Sequence, residues 1–161
     1  MRALPAYGLL TVAAVAVDQW IKWLVQSRMA MGETIEFLPF LAWHRTVNTG
    51  ISFSFMDGLP AWVLAALALA VMGFILWLAI RTEPRQVFAR AGFALIVGGA
   101  VGNLIDRVLL GHVVDYVYFH TPVWSFAVFN LADTCITVGA VLVILQEVVD
   151  WRRDRAAKQE S

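Results

Sequence analysis

Four aspartates lie inside or beside long apolar runs of this chain: Asp18, Asp106, Asp115 and Asp133. An ionisable side chain at membrane depth costs at least about 2.5–3.5 kcal/mol, so each aspartate is a candidate functional residue. Two carboxylates held close together cannot both ionise cheaply, and they come to share one proton. One member of such a pair can take a proton from water while the other polarises a peptide carbonyl. The residue types therefore allow peptide-bond hydrolysis by an aspartate pair.

The apolar composition predicts the elements that must position these aspartates. Of 161 residues, 60% are hydrophobic and 15% are charged, an apolar share above that of a typical soluble domain. Four apolar stretches are each close to the roughly 20 residues that a helix needs to cross a bilayer. We predict an all-α membrane protein, with one integral-membrane domain over residues 1–161 and four transmembrane helices. The predicted helices cover residues 5–25, 60–80, 87–110 and 126–149.

The placement of basic residues predicts how these helices are oriented. The formal net charge is zero, which argues against a nucleic-acid partner. Basic residues group before helix one, around the connection between helices two and three, and after helix four, and by the positive-inside rule these ends are cytoplasmic. Both termini then lie in the cytoplasm, and residues 26–59 and 111–125 form extracytoplasmic segments. The grouped residues are Arg2, Arg81, Arg85, Arg90, Arg152, Arg153, Arg155 and Lys158.

The first extracytoplasmic segment has the pattern of a small sheet. Residues 51–55 alternate strictly between apolar and polar side chains, which indicates a half-buried strand, and residues 34–40 contain a weaker run of the same kind. We therefore predict a small extracytoplasmic β-rich platform between helices one and two. The platform either caps the helices or rests on the lipid surface. We favour the lipid surface, because a short isolated sheet needs another surface on which to bury one face.

Asp18 and Lys22 lie four residues apart and share one face of helix one. They form either a structural ion pair, with the lysine reaching to the membrane interface, or part of a catalytic site. In helix three, the small residues between Gly98 and Gly102 predict close packing against another helix rather than phosphate binding.

Asn103 and Asp106 lie three residues apart on one face of helix three, with Arg107 beside Asn103. For Asp106 we favour a hydrogen-bonded clasp between helices over a catalytic role.

Asp115 lies just past helix three, and Asp133 lies 18 positions later in the segment that opens helix four. Because helix three runs outward and helix four runs inward, the two carboxylates can meet at the outer membrane interface. Asn130 shares a face with Asp133. The alternative for Asp133 is an acid at a helix N-terminus, stabilised by the helix dipole.

Five segments, in order and spanning most of the chain, resemble those of the lipoprotein signal peptidase family, also called signal peptidase II. Ser52 departs from the family pattern, in which we expect alanine. The matching segments are DQWIK at 18–22, NTGISFS at 48–54, GGAVGNLIDR at 98–107, VDY at 114–116 and FNLAD at 129–133.

The resemblance implies a multi-pass, aspartic-type endopeptidase of the bacterial inner membrane, with its active site facing the periplasm. We expect it to be a monomer. The implied substrates are diacylglyceryl-modified prolipoproteins, cleaved on the amino side of the lipidated cysteine, and neither a cofactor nor a metal is implied. By similarity, Asp115 and Asp133 are the catalytic pair. The other residues carried over are Asn48, Gly50, Asn103, Arg107 and Asn130 for orienting the substrate and the pair, and Asp18, Lys22 and Asp106 for supporting the structure.

Two other functions fit parts of the sequence. A proton-coupled transporter also carries intramembrane acids, but it predicts acids spread through the membrane and an internal repeat. A metalloprotease could use His112, His120 and Asp115, but the chain lacks a His-Glu-x-x-His motif.

Overall fold

Four helices and four short strands make up the part of the chain that the computed structural model describes, residues 4–49 and 61–159. The helices are α1 (Leu4–Arg28), α2 (Ala61–Arg81), α3 (Val87–Leu110) and α4 (Leu131–Gln159). The strands are β1 (Thr34–Leu38), β2 (Leu41–Asn48), β3 (Val113–Thr121) and β4 (Trp124–Ser125).

Three of the helices are long and apolar enough to cross a membrane: Pro5–Arg28, Val87–Leu110 and Leu131–Gln159. They coincide with three of the four predicted spans, which supports the prediction of a membrane protein. The remaining described helix, α2, contributes a shorter apolar stretch, Ala65–Arg81. A fourth span therefore stays a prediction.

Helix α4 begins and ends later than predicted. We expected it over residues 126–149, but Phe129 instead pairs with Val117 as a β-bridge, with hydrogen bonds of 2.8 and 3.1 Å between their main chains. The helix therefore begins only at Leu131. At the other end, the charged and exposed residues after Trp151 continue the helix to Gln159.

Close backbone approach fixes α3 against its neighbours. Gly92 of α3 faces Gly139 of α4, and a Cβ added to either glycine would lie 2.5 Å from the carbonyl oxygen of the other. At Gly102, an added Cβ would lie 2.6 Å from Asp18 Oδ2. These glycines allow α1, α3 and α4 to approach closely, as the small residues of helix three predicted.

The sheet draws on two segments of the chain, not one. Its strands are antiparallel in the order β1-β2-β3-β4, with Thr34 opposite His44, Thr46 opposite Asp115 and His120 opposite Ser125. The platform predicted between helices one and two is therefore incomplete, because β3 and β4 come from the segment after α3. The weaker run at 34–40 contains β1, whereas the strand predicted at 51–55 lies outside the described residues.

Contacts at the end of α1 attach the sheet to the helices. Arg45 of β2 donates to the carbonyl oxygens of Gln26 and Met29 at 3.0 and 2.6 Å, which satisfies two free acceptors at the helix C-terminus. An apolar cluster buries Val25 of α1, and Met29 just after it, against Val114 and Tyr116 of β3. This packing buries the first residues of β3 and so fixes the position of Asp115.

Replacing Gly102 with alanine should destabilise the protein, because the Asp18 oxygen in its way is tied to a buried lysine and cannot move aside. We expect a loss of about 1–3 kcal/mol, typical of overpacking, measured by thermal unfolding in detergent. Gly73→Ala in α2 is the control, because no atom lies within 4 Å of its added Cβ. Equal stability of the two variants would contradict the packing described here.

Candidate active site

Asp115 is buried in β3 and held by two amides. Asn130 Nδ2 donates to its Oδ1 at 2.6 Å, and Asn48 Nδ2 donates to its Oδ2 at 3.2 Å. Burial and then the charge of Asp133 raise the pKa of Asp115 to about 7, against the opposing effect of the two amide hydrogen bonds and of Lys22. The Asp115 carboxyl can therefore hold or release a proton near neutral pH.

Asp133 lies in the first turn of α4 and belongs to the same network. Asn103 Nδ2 donates to its Oδ1 at 2.8 Å, and its own backbone N–H donates to Asn130 Oδ1 at 2.9 Å. Asn130 Nδ2 also donates to Asn103 Oδ1 at 3.2 Å. Two linked amides therefore connect the carboxylates of Asp115 and Asp133.

The start of α4 is fixed by three side chains. Tyr116 Oη accepts from the backbone N–H of Leu131 at 3.1 Å, and Asp18 Oδ1 accepts from that of Ala132 at 2.9 Å. Asn130 caps the helix in the same way, since its Oδ1 accepts from the backbone N–H of Asp133. Because a helix begins with unsatisfied N–H groups, these acceptors lock the turn that carries Asp133. Burial raises the pKa of Tyr116, so its hydroxyl remains neutral.

Lys22 is buried beneath this turn. Its Nζ lies 2.9 Å from Asp18 Oδ2, 2.9 Å from Asp106 Oδ2 and 2.9 Å from Asn103 Oδ1. Only 1% of the Lys22 side chain is exposed. The prediction that the lysine reaches to the membrane interface is therefore wrong. The ion pair with Asp18 is present, but it faces inward.

Asp106 forms the interhelical clasp that the sequence favours. Besides Lys22, it accepts from Gln19 Nε2 of α1 at 2.9 Å and from the backbone N–H of Val114 at 3.1 Å. The clasp therefore joins α3 both to α1 and to the start of β3. Gln19 was not among the candidate residues, although it directly follows Asp18.

Two cavities with mainly apolar walls meet at Asn48 and Asp133. One, of about 320 Å³, runs along α4 beside Phe126 and Phe129. The other, of about 230 Å³, lies between α2, α3 and α4 and includes Asn103 and Arg107. A peptide or lipid chain entering either cavity would reach the Asp133 carboxylate.

The structure brings together nearly all residues that the sequence singled out. Arg107 borders the second cavity, donates to the carbonyl oxygen of Asn103 at 3.3 Å, and interacts electrostatically with the acids around it. Gly50 lies outside the described residues. Tyr116 was not predicted, although it adjoins Asp115 in a matching segment. The acids of the site are Asp18, Asp106, Asp115 and Asp133.

The metal-binding alternative is not supported by this arrangement. Within residues 4–49 and 61–159, no three histidine, cysteine, aspartate or glutamate side chains are grouped so as to hold a metal ion. His120 and Asp115 lie five residues apart on one strand, so their side chains point to opposite faces roughly 16 Å apart.

Known proteins resemble this chain in sequence and in fold. The sequence profile of the signal peptidase (SPase) II family matches residues 10–149. A lipoprotein signal peptidase of Mesorhizobium japonicum is 54% identical over 154 residues, covering 96% of this chain and 92% of its own. One from Brucella ovis is 58% identical over 144 residues, covering 89% and 90%.

The fold is similar to that of solved bacterial membrane enzymes. One, determined by the in meso method at 2.3 Å resolution, superposes with a TM-score of 0.84 at 28% identity, covering 91% of this chain and 90% of its own. Another, determined at 1.9 Å, gives 0.79 at 28% identity, covering 88% and 92%. By the family profile and by the identity to these relatives over most of its length, the chain belongs to the signal peptidase II family.

Proposed function

We propose that this protein is an aspartic endopeptidase that removes the signal peptide from diacylglyceryl-modified prolipoproteins, cutting on the amino side of the lipidated cysteine. The observation that carries the proposal is the amide network that joins Asp115 to Asp133 beside two apolar cavities. The names of the relatives, lipoprotein signal peptidases, support the substrate class.

The pair acts as general base and general acid. With one proton shared between Asp115 and Asp133, the ionised carboxylate takes a proton from water while the protonated carboxyl donates to the peptide carbonyl oxygen. The water oxygen bonds to the carbonyl carbon. Collapse of this intermediate breaks the C–N bond as the amine receives the proton that the first carboxylate took from water, and the second carboxylate takes back its proton from the former carbonyl oxygen. The amides of Asn48, Asn103 and Asn130 hold both acids in place without adding a charge.

The surroundings suit a substrate that is part lipid and part peptide. The larger cavity is walled by apolar side chains such as Phe126, Phe129 and Ile136, which favour acyl chains over water. Phe37, Phe40 and Trp124 are exposed on the sheet, and large exposed apolar side chains indicate a surface that contacts lipid or substrate.

We place the protein in the bacterial inner membrane, with four spans and with both termini in the cytoplasm. The positive-inside rule supports this orientation, since basic residues lie at the end of α2, near the start of α3 and in the last turns of α4. The site lies at the end of α3 and the start of α4, which is then the periplasmic side. Lipid chains can stay in the bilayer while the scissile bond meets water.

Asp115→Asn and Asp133→Asn should each abolish cleavage of a lipidated prolipoprotein by the purified protein, because an amide can neither accept the proton of water nor share one. The losses should be strongly non-additive, since the pair acts as a unit, and a chelator should have no effect. Asp154→Asn, on the exposed end of α4, is the matched control and should cleave normally. Substantial cleavage by either folded site variant would refute the aspartic mechanism.

The pH dependence of kcat/KM should show an alkaline limb near pH 7, because the pair loses its shared proton as the pH rises through the pKa of Asp115, about 7. Asn48→Ala removes a hydrogen bond that stabilises ionised Asp115. The pKa of Asp115 should then rise, and the alkaline limb should move to higher pH. A limb that stays in place or moves to lower pH would contradict this assignment.

Topology can be tested with reporter fusions. A fusion after Met31 should report the periplasmic side, and a fusion at the C-terminus should report the cytoplasmic side, because an odd number of crossings separates them in the four-span arrangement. A report of the same side from both fusions would exclude that arrangement.

A further inference from the structure

The amide of Asn103 connects the buried ammonium of Lys22 to the carboxylate of Asp133. Lys22 Nζ donates to Asn103 Oδ1 at 2.9 Å, and Asn103 Nδ2 donates to Asp133 Oδ1 at 2.8 Å. We propose that Lys22 is a positioning residue, which holds the Asn103 amide in the one orientation that serves Asp133 and thereby sets the charge state of the aspartate pair. The inference rests on the proposed function, because it concerns the same pair.

An asparagine amide can be reversed with little change of shape, so its neighbours decide its orientation. An ammonium donates but cannot accept, so the Asn103 atom that faces Lys22 must be the oxygen. That oxygen also accepts from Asn130 Nδ2 at 3.2 Å. A reversed Asn103 amide would set its NH₂ group against two donors and its oxygen against the Asp133 carboxylate.

The second amide of the network is oriented in a different way. Asn130 Oδ1 accepts from the backbone N–H of Asp133 at 2.9 Å, so its NH₂ group is directed to Asp115 at 2.6 Å. Because a backbone N–H is present whatever the side chain, Asn130 keeps its orientation in most variants. The orientation of Asn103 depends on Lys22, a side chain that can be replaced.

The composition of the buried cluster also favours a role beyond joining helices. Lys22 and Asp18 are each 1% exposed and Asp106 is 2% exposed, and desolvating such charges costs several kcal/mol per ion. Apolar side chains of similar volume often join helices as well or better. An apolar replacement would not supply the third hydrogen bond of the ammonium, which goes to the amide that contacts Asp133.

The charge of Lys22 also acts on Asp115, whose pKa it lowers against the effects of burial and of Asp133. Removing the ammonium should therefore raise the pKa of Asp115. The cavity wall contributed by α2 (Leu67, Ala68 and Val71) carries no charge. Among the described residues, the other ionisable groups around the pair are Asp18 of α1, Asp106 and Arg107 of α3, Tyr116 of β3 and Cys135 of α4.

The test compares Lys22→Met combined with Asp106→Asn against Asp106→Asn alone. Asp106→Asn alone keeps the Lys22–Asp18 pair, with no formal net charge, whereas the double variant leaves Asp18 buried without that partner. We therefore expect the double variant to unfold at a lower temperature than Asp106→Asn. Below both unfolding temperatures, the double variant can be compared directly with Asp106→Asn. The kcat of the double variant should be roughly 10- to 100-fold lower, as for a displaced catalytic group, with KM unchanged.

A double-mutant cycle of Lys22 and Asn103 separates an effect that passes through the Asn103 amide from a direct effect of Lys22 on the aspartate pair. If Lys22 acts through Asn103, replacing Lys22 in the Asn103→Ala background should lower kcat little further. Full additivity of the two losses would show that Lys22 does not act through this amide.

A readout without substrate keeps this inference distinct from the proposed function. The ¹³C chemical shift of the Asp115 carboxyl, followed against pH in the folded protein, should titrate at higher pH in the double variant than in Asp106→Asn. An unchanged midpoint together with an unchanged kcat would overturn the proposal and leave Lys22 as a structural residue. If the midpoint is shifted in the double variant but the wild-type protein cleaves no lipidated prolipoprotein, the proposed function alone would be refuted.

If the double variant does not fold, Lys22→Gln can replace it in the titration. Its amide can donate or accept, so it cannot impose an orientation on Asn103, and it lacks the charge. The Asp115 midpoint should again rise, and a wild-type midpoint in folded Lys22→Gln would overturn the proposal.

Discussion

An ammonium group with 1% of its side chain exposed persists only where every one of its protons meets an acceptor, and Lys22 meets three. Asp18 and Lys22 come from α1, Asp106 and Asn103 from α3. Asp18 in turn caps the start of α4, and Asp106 accepts from the first residues of β3. One buried charge therefore ties together the two elements, β3 and α4, that carry Asp115 and Asp133. Removing Lys22 would leave both acids without a compensating charge, and the loss of one partner of a buried ion pair typically costs 3–5 kcal/mol.

Close packing is what makes this arrangement fit. A side chain at Gly102 would occupy the space of the Asp18 carboxylate, and side chains at Gly92 and Gly139 would separate α3 from α4. Within a bilayer, helices gain little from burying apolar surface against one another, so short backbone distances and polar contacts must hold them. The buried cluster thus depends on the glycines, because the short interhelical distances bring the polar groups within hydrogen-bonding range.

The sequence predicted the helices well and the sheet poorly, for physical reasons. Long apolar runs have few alternatives to a helix in a membrane, so α3 lies where the 87–110 run predicted it. The pairing of β2 with β3 joins segments that lie about 70 residues apart, and local alternation cannot reveal such a partner. The sequence therefore placed Asp115 in an extracytoplasmic segment without predicting a strand there, although it lies in a buried strand. The cap of α4 by Asp18 and Tyr116 was missed for the same reason, since each comes from another element.

The network around the two acids relies on amides where ion pairs would have been available. Lys22 bonds directly to Asp18 and Asp106, and its hydrogen-bonded link to Asp133 runs through Asn103. A direct ion pair would stabilise the ionised form of one acid strongly and would weaken its need to share a proton. An amide donor stabilises a carboxylate less and adds no charge, so the two acids remain coupled to each other. The separation of the Lys22 ammonium from the pair by one side chain is consistent with a site that must hold one proton between two carboxylates.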